Sequence, residues 1–557
     1  MKKSDYTSLV PSYRFSNVES EQKDQLEQNE LLKRMSNTRK SLSSDPHRPL
    51  YHYVNPENTL NDPNGLCFWQ DRWHLFYQAY PPEDPRQHWG HAYSDDLIHW
   101  KDLPYAIYPN PEECCFSGAT LVEENRVIAM YHGTQVGNMI AVSNDPLLLN
   151  WDKLTGEAVI PIPKDQKSGA IQNPYTVFDP CIWKKDGYYY SLSAGTLPGT
   201  VKGDKVAADF LFRSEDLETW DYMHPFVEND SFTLAGDDGA CPYFWPIGDD
   251  KHILLFYSHM SGGQYLLGDY DRDQDKLIVT SHGLFNFGAS TPSGVHAPSA
   301  TPDGNGGIIT IFNMNQGFPT NGWNQIMTLP RRISLTGQNH VKVEPAGTIE
   351  SLRYDHKHLN NMVLSPNKEI VIDDVRGDSM ELMIEIDAKD APLVEINVLR
   401  SANKDEFTRI AFFKDRGFNL RTNINKVRNN ASLITNNFDG ASLASGTPTV
   451  PPVGTPRKVY PNESILTLDT SYSSILPEAL SRPPETAPIQ LQYNEPLKLR
   501  IFIDRSVVEI FANDQQCLAA RVYPGLRDSQ GISIRAQGNE AELRSFDAWQ
   551  MKNIYAE

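Results

Sequence analysis

The 557-residue sequence is short of several things at once, and each shortage removes a class of protein. It has no run approaching the roughly 18–20 apolar residues that a membrane-crossing helix needs. Met1 to Val10 holds two lysines with no apolar stretch after them, which is not the pattern of a secretory signal. Cysteine is scarce. Cys67, Cys114, Cys115, Cys181, Cys241 and Cys517 include no C-x-x-C pair and no zinc-ligand spacing. Reduced thiols in a cytoplasmic protein are therefore expected, not a disulfide framework or a zinc module. Positive charge is in deficit, with 51 Lys and Arg against 71 Asp and Glu and a net charge of −20. A nucleic-acid or anionic-membrane partner would want a basic face, so neither is expected. A phosphate-binding loop and a trustworthy Ser-His-Asp order are also missing, and no metal or cofactor is expected.

What the chain does have is β-forming and aromatic, with 10% Phe, Trp and Tyr. Residues 1–45 stand apart as a polar, charged leader, in which Leu26, Glu30 and Lys33 fall at helical spacing. One amphipathic helix is expected there, mobile or packed on the body or on a neighbouring subunit. A homodimer is the oligomer to expect on general grounds.

From His47 an apolar-aromatic run recurs five times. The copies start at Trp73, Val127, Tyr188, His252 and Ile308, spaced 54, 61, 64 and 56 residues apart. Such runs suit strands buried on both faces. A companion segment follows three of them: Ser94-Asp-Asp-Leu-Ile-His-Trp100, Ser143-Asn-Asp-Pro146 leading to Trp151, and Ser214-Glu-Asp-Leu-Glu-Thr-Trp220. Each reads as a strand, an acidic turn and an outward Trp. Five repeats of this length predict an all-β, five-bladed β-propeller over residues 46–340. Residues 345–557 then alternate with period two, as in Met380-Glu-Leu-Met-Ile-Glu-Ile386, which predicts a β-sandwich. Residues 436–456 read as a long surface loop.

A propeller takes ligands in the channel lined by the first strand of each blade, so carboxylates near strand starts are the candidates. Asn61-Asp62-Pro63-Asn64-Gly65 precedes the first aromatic run, where Pro and Gly would fix a tight turn around one carboxylate. After it come Gln78, Trp89-Gly90-His91 and Phe116-Ser117-Gly118-Ala119, then Phe178-Asp179-Pro180. Near the C-terminus stands Phe502-Ile-Asp504-Arg-Ser506-Val-Val-Glu509-Ile-Phe511. This ordered set resembles glycoside hydrolase family 32, the invertase and fructan-hydrolase family, over residues 47 to about 550. The resemblance implies a propeller plus sandwich, a retaining mechanism without a cofactor, and β-fructosides such as sucrose or short fructo-oligosaccharides as substrates.

By that resemblance Asp62 is the nucleophile, and Asp179 holds fructose hydroxyls and stabilises the oxocarbenium-like transition state. Asn61, Gln78, Phe116 and Ser117 line the sugar site. Trp89 is either a stacking surface or a core residue, and Glu509 is structural. His296 is a further candidate for the channel. Three departures stand out. The family has a Glu before its Cys-Pro, but Ala240 precedes Cys241-Pro242 here. Asp238 is the first replacement to consider as proton donor, because residues i and i+2 of a strand share a face; Asp237 is the second. The Arg of the family's Arg-Asp-Pro is Phe178. The segment after Gln78 is short, with Tyr80 in place of the usual Asn. Hydrolysis is the leading reading; fructosyl transfer and a catalytically silent fructan-binding protein are the alternatives.

Overall fold

The computed structural model describes residues 6–168, 173–198, 205–337, 339–417, 463–492 and 494–556. The loop expected at 436–456 lies outside the described residues. Strand accounts for 50% and helix for 7%, so the all-β expectation holds.

Residues 59–345 form five separate sheets, spanning 59–107, 115–161, 180–225, 227–284 and 295–345. One strand of each contacts the next in a closed cycle: Thr59–Trp69, Cys115–Val122, Pro180–Lys185, Ala240–Ile247 and Val295–Pro302. The recurrent aromatic runs are the strands immediately outside these. Their sequence makes them so: Val127–Gly133 and Ile308–Met314 are buried at every residue, with mostly apolar side chains on both faces. In the companion segments the acidic turn is real. Asp96 accepts from the backbone N–H of Ile98 and His99, and Asp216 from those of Glu218 and Thr219. The outward Trp is not general, because Trp100 is buried in the core.

The inner strands share an irregularity. Four of the five carry a register shift near their start: at Leu60/Pro63, Cys115/Gly118, Ala240/Tyr243 and Val295/Pro298. A bulge of this kind bends the strand and re-aims the side chains within it. The Asn61–Gly65 block is therefore not a turn before the first strand but the bulged start of that strand.

The remaining strands build two six-stranded antiparallel sheets that face each other across a single apolar core. Ile384, Ile501 and Phe546 from one sheet meet Ile396, Leu468 and Ile534 from the other. Alternation does what it predicts here: in Glu485–Gln490 every second residue is buried.

The two halves are fastened by a buried ionic cluster. His52, just before the first sheet, sits between Asp504 and Glu509, with Nδ1 2.8 Å and Nε2 3.1 Å from their oxygens. Asp504 also accepts from the backbone N–H groups of Leu50, Tyr51 and His52, and Glu509 from Leu329 N–H and Arg331. The C-terminal signature is thus the joint between the halves, and Glu509 is structural.

The leader differs from expectation. It forms two helices, α1 (Glu19–Gln28) and α2 (Glu30–Leu42), broken at Asn29, whose side chain caps α2 by accepting from Leu31 and Leu32 N–H. Both dock on the protein's own body. Leu31 and Met35 are buried, each contributing about 1.5–3 kcal/mol. Arg39 clamps Asp102 bidentately, and Gln22 donates to Asp145 at 2.7 Å.

Candidate active site

The cycle of inner strands opens into a cavity of about 870 Å³. Its floor is made by the bulges. The first strand supplies Asn61 and Asp62, the second sheet Phe116 and Ser117, the fourth Ala240 and Cys241, the fifth His296. Asp179 enters from the residue just before Pro180–Lys185.

Asp62 is the most heavily bonded group. Its Oδ2 accepts from Ser117 Oγ at 2.6 Å and Gln78 Nε2 at 3.2 Å, with Cys241 Sγ at 3.6 Å. His296 Nδ1 lies 3.1 Å from its other oxygen. Asp179 Oδ2 accepts from the Cys241 backbone N–H at 3.2 Å and also lies 3.6 Å from Cys241 Sγ. One thiol therefore stands between two carboxylates. To place it there Cys241 adopts φ 53°, a left-handed conformation that costs a non-glycine residue roughly 1–2 kcal/mol. Asn61 completes the floor, donating to Gln78 Oε1 and accepting from Asn313 Nδ2.

The two carboxyls are pushed apart in acidity. Burial pushes Asp62 up, but His296, Ser117 and Cys241 outweigh it, and its pKa lies below the ordinary carboxylate value. Burial and the neighbouring Asp62 charge push Asp179 up to about 7. Burial, Asp62 and Asp179 hold Cys241 well above the usual thiol value, so it is a neutral donor and not a thiolate. Two titratable groups held close with divergent pKa values are a hallmark of a site built for chemistry.

Residues 52–345 match the glycosyl hydrolases family 32 N-terminal domain, and residues 348–550 match the family 32 C-terminal domain. The chain belongs to glycosyl hydrolase family 32. It is a glycosidase. Among its relatives, the levanase of Bacillus subtilis is 25% identical over 92% of this chain and 72% of that protein. Sucrose-6-phosphate hydrolase of Zymomonas mobilis is 25% identical over 92% of this chain and 94% of that one. The crystal structure of fructan 1-exohydrolase IIa from Cichorium intybus has a TM-score of 0.73 at 19% identity, covering 91% of this chain and 98% of that one. At that identity the likeness speaks for the fold.

Against the family 32 motifs of the sequence resemblance, this glycosidase departs at Ala240 on the floor and at Phe178 on the rim. Ala240, where the sequence resemblance implies a Glu, lines the cavity. Asp238 lines it too, but not through strand alternation, because the strand begins at Ala240 and Gly239 turns the chain with φ 64°. Asp238 binds His259, with Nδ1 at 2.6 Å and the backbone N–H at 3.1 Å. The hydrogen bond to Asp238 raises the His259 pKa above its ordinary value, and the bonded pair faces the cavity. Phe178, 46% exposed and standing where the sequence resemblance implies an arginine, forms an aromatic wall with His132 and Phe116. Burial lowers the His132 pKa to about 4, leaving that wall uncharged.

Two predicted residues do not reach the cavity. Trp89 is fully buried against Phe76 and Tyr131, and its Nε1 donates to the Phe116 carbonyl. It supports the wall from behind and offers no stacking face. Asp237 is also fully buried, accepting from Ser258, Ser261 and Leu234 N–H, so it orders the loop that carries Asp238. Sequence reasoning missed His259. The signal was present, because it ends the fourth aromatic run as Gln78 ends the first. Cys241 was read only as half of a Cys-Pro landmark.

Proposed function

We propose that this glycosidase is a β-fructofuranosidase that removes terminal fructosyl units from sucrose or short fructo-oligosaccharides with retention of configuration. The observation that carries the reading is the pair Asp62 and Asp179 meeting at one thiol on the cavity floor. The names of the relatives, a levanase and a sucrose-6-phosphate hydrolase, support the substrate class. We read the five sheets as the blades of a five-bladed propeller over residues 46–340, with a sandwich over 345–557. Six free thiols support a cytoplasmic location.

In this reading Asp62, ionised and held by Ser117 and Gln78, attacks the anomeric carbon. The glycosidic oxygen leaves with a proton from the Asp238–His259 pair, giving a fructosyl ester on Asp62. Asp179 in its ionised form stabilises positive charge on the ring as the bond breaks. Water then enters, gives its proton to the same pair and releases fructose. Asn61, Gln78 and Ser117 hold sugar hydroxyls.

The test is methanolysis. In the presence of methanol the enzyme should convert sucrose partly to methyl β-fructofuranoside, detected by NMR, with activity abolished in Asp62→Asn. Methyl α-fructofuranoside as the product would overturn the retaining mechanism. Absence of fructose release from sucrose, kestose and levan would overturn the substrate class.

A further inference from the structure

The strand Arg353–Leu364 is the outer edge of one sandwich sheet and pairs only with Ala541–Met551. Its residues 354–358 are exposed. His358 lies directly opposite Asp547, and Lys357 opposite Ala548. Between Tyr354 and Lys357 the register shifts, with Asp355 at φ 49°. This bulge brings His356 beside His358 over the same carboxylate. His356 Nε2 is 2.8 Å and His358 Nδ1 2.7 Å from Asp547 Oδ1. The donor atoms of the three side chains all lie within 4.8 Å of one another, and no other trio of His, Cys, Asp or Glu does so among the described residues.

The trio is supported from behind. The His356 ring stacks on Trp549 at 4.7 Å with 7° between the planes, and Arg353 covers the same indole at 4.1 Å. The cations nearby have anions of their own: Arg353 is paired with Glu381 and Lys357 with Asp355.

We propose that His356, His358 and Asp547 bind a divalent transition-metal ion of the zinc class. Two imidazole nitrogens and one carboxylate oxygen are borderline donors that suit zinc, nickel or copper. Calcium and magnesium want an all-oxygen shell. Each imidazole presents its lone pair to the ion by carrying its proton on the other ring nitrogen. The three protein donors leave a coordination position for water. None of the three residues lines the catalytic cavity, so the ion acts as a clamp holding the edge strand to its neighbour and takes no part in hydrolysis.

The experiment is calorimetric titration of the chelator-stripped full-length protein with zinc chloride. One equivalent should bind in the wild type. His356→Ala, His358→Ala and Asp547→Asn should each weaken binding by at least about ten-fold, with sucrose hydrolysis unchanged. Lys357→Ala, whose side chain pairs with Asp355, should bind like wild type. Copper(II) should quench tryptophan fluorescence in the wild type and markedly less in Trp549→Phe. Stoichiometric zinc binding that survives the His356→Ala/His358→Ala double substitution would place the ion at other histidines and overturn the proposal. So would a wild type that binds zinc no more tightly than the double variant.

Discussion

On the floor of the cavity Asp62, Gln78 and Ser117 are buried and bonded to one another; on the rim, Asp238, His259 and Phe178 stand partly in solvent. Asp62 is 7% exposed and engages Ser117, Gln78, His296 and Cys241. The Asp238 side chain is 39% exposed and has one side-chain partner, His259. The floor keeps the motifs of the family resemblance except at Ala240, and the rim departs from them at Phe178. In the proposed mechanism, the difference sets attack at the anomeric carbon on a densely bonded network and protonation of the leaving group on a more exposed pair.

Substitutions on the floor should therefore be severe and blind to leaving group. Asp62→Asn should lower kcat/KM on sucrose and on a nitrophenyl β-fructoside alike, by at least about 10³-fold, with the circular dichroism spectrum unchanged. Near-normal turnover would remove Asp62 from the mechanism. Next, Asp179→Asn should cost about 10²–10³-fold on both substrates. In the proposed mechanism Asp179 acts as the anion, and with its pKa pushed up to about 7 wild-type kcat/KM should rise as pH increases through about 7. That acid limb should vanish in Asp179→Asn, and its persistence would assign it to another group.

Rim substitutions should be selective. Asp238→Asn should slow sucrose cleavage by about 10²-fold yet spare the first step on the nitrophenyl substrate, whose leaving group needs no proton. Azide should then rescue turnover of the accumulated intermediate. Equal loss on both substrates would make Asp238 a structural residue. The smallest effect belongs to His259→Asn, a loss of about ten-fold. Asp238 keeps His259 protonated above its ordinary range, so activity lost at alkaline pH in the wild type should be lost at lower pH in the variant. An unshifted alkaline limb would separate His259 from proton transfer.

The architecture was legible because burial leaves its period in the sequence. The five aromatic runs are the doubly buried strands, and the later alternation is the sandwich. The floor was legible only through motif order. Its physical cause, a bulge at the start of four inner strands, breaks the very periodicity by which strands are read, so Asn61–Gly65 looked like a turn. Asp237 was misplaced for a related reason. It stands between Gly236 and Asp238, which line the cavity, but the turn points it the other way. The place of His259 at the end of the fourth aromatic run was legible, but its pairing with Asp238, 21 residues away, was not.

The joint at His52 has a consequence for how the protein can be cut or recombined. Burial works against its charge, but Asp504 and Glu509 hold its pKa at about 9, above its value in an unfolded chain. That charge pair therefore stabilises the folded state fully below about pH 6.5, and its contribution fades as pH rises through about 9. Separated from His52 and Arg331, the sandwich would carry two carboxylates on newly bared surface, and the first half would carry the matching cations. The sandwich is accordingly not a transferable module. A chimera that replaces it must bring an Asp and a Glu to the positions of Asp504 and Glu509, or the halves will meet across unpaired charge.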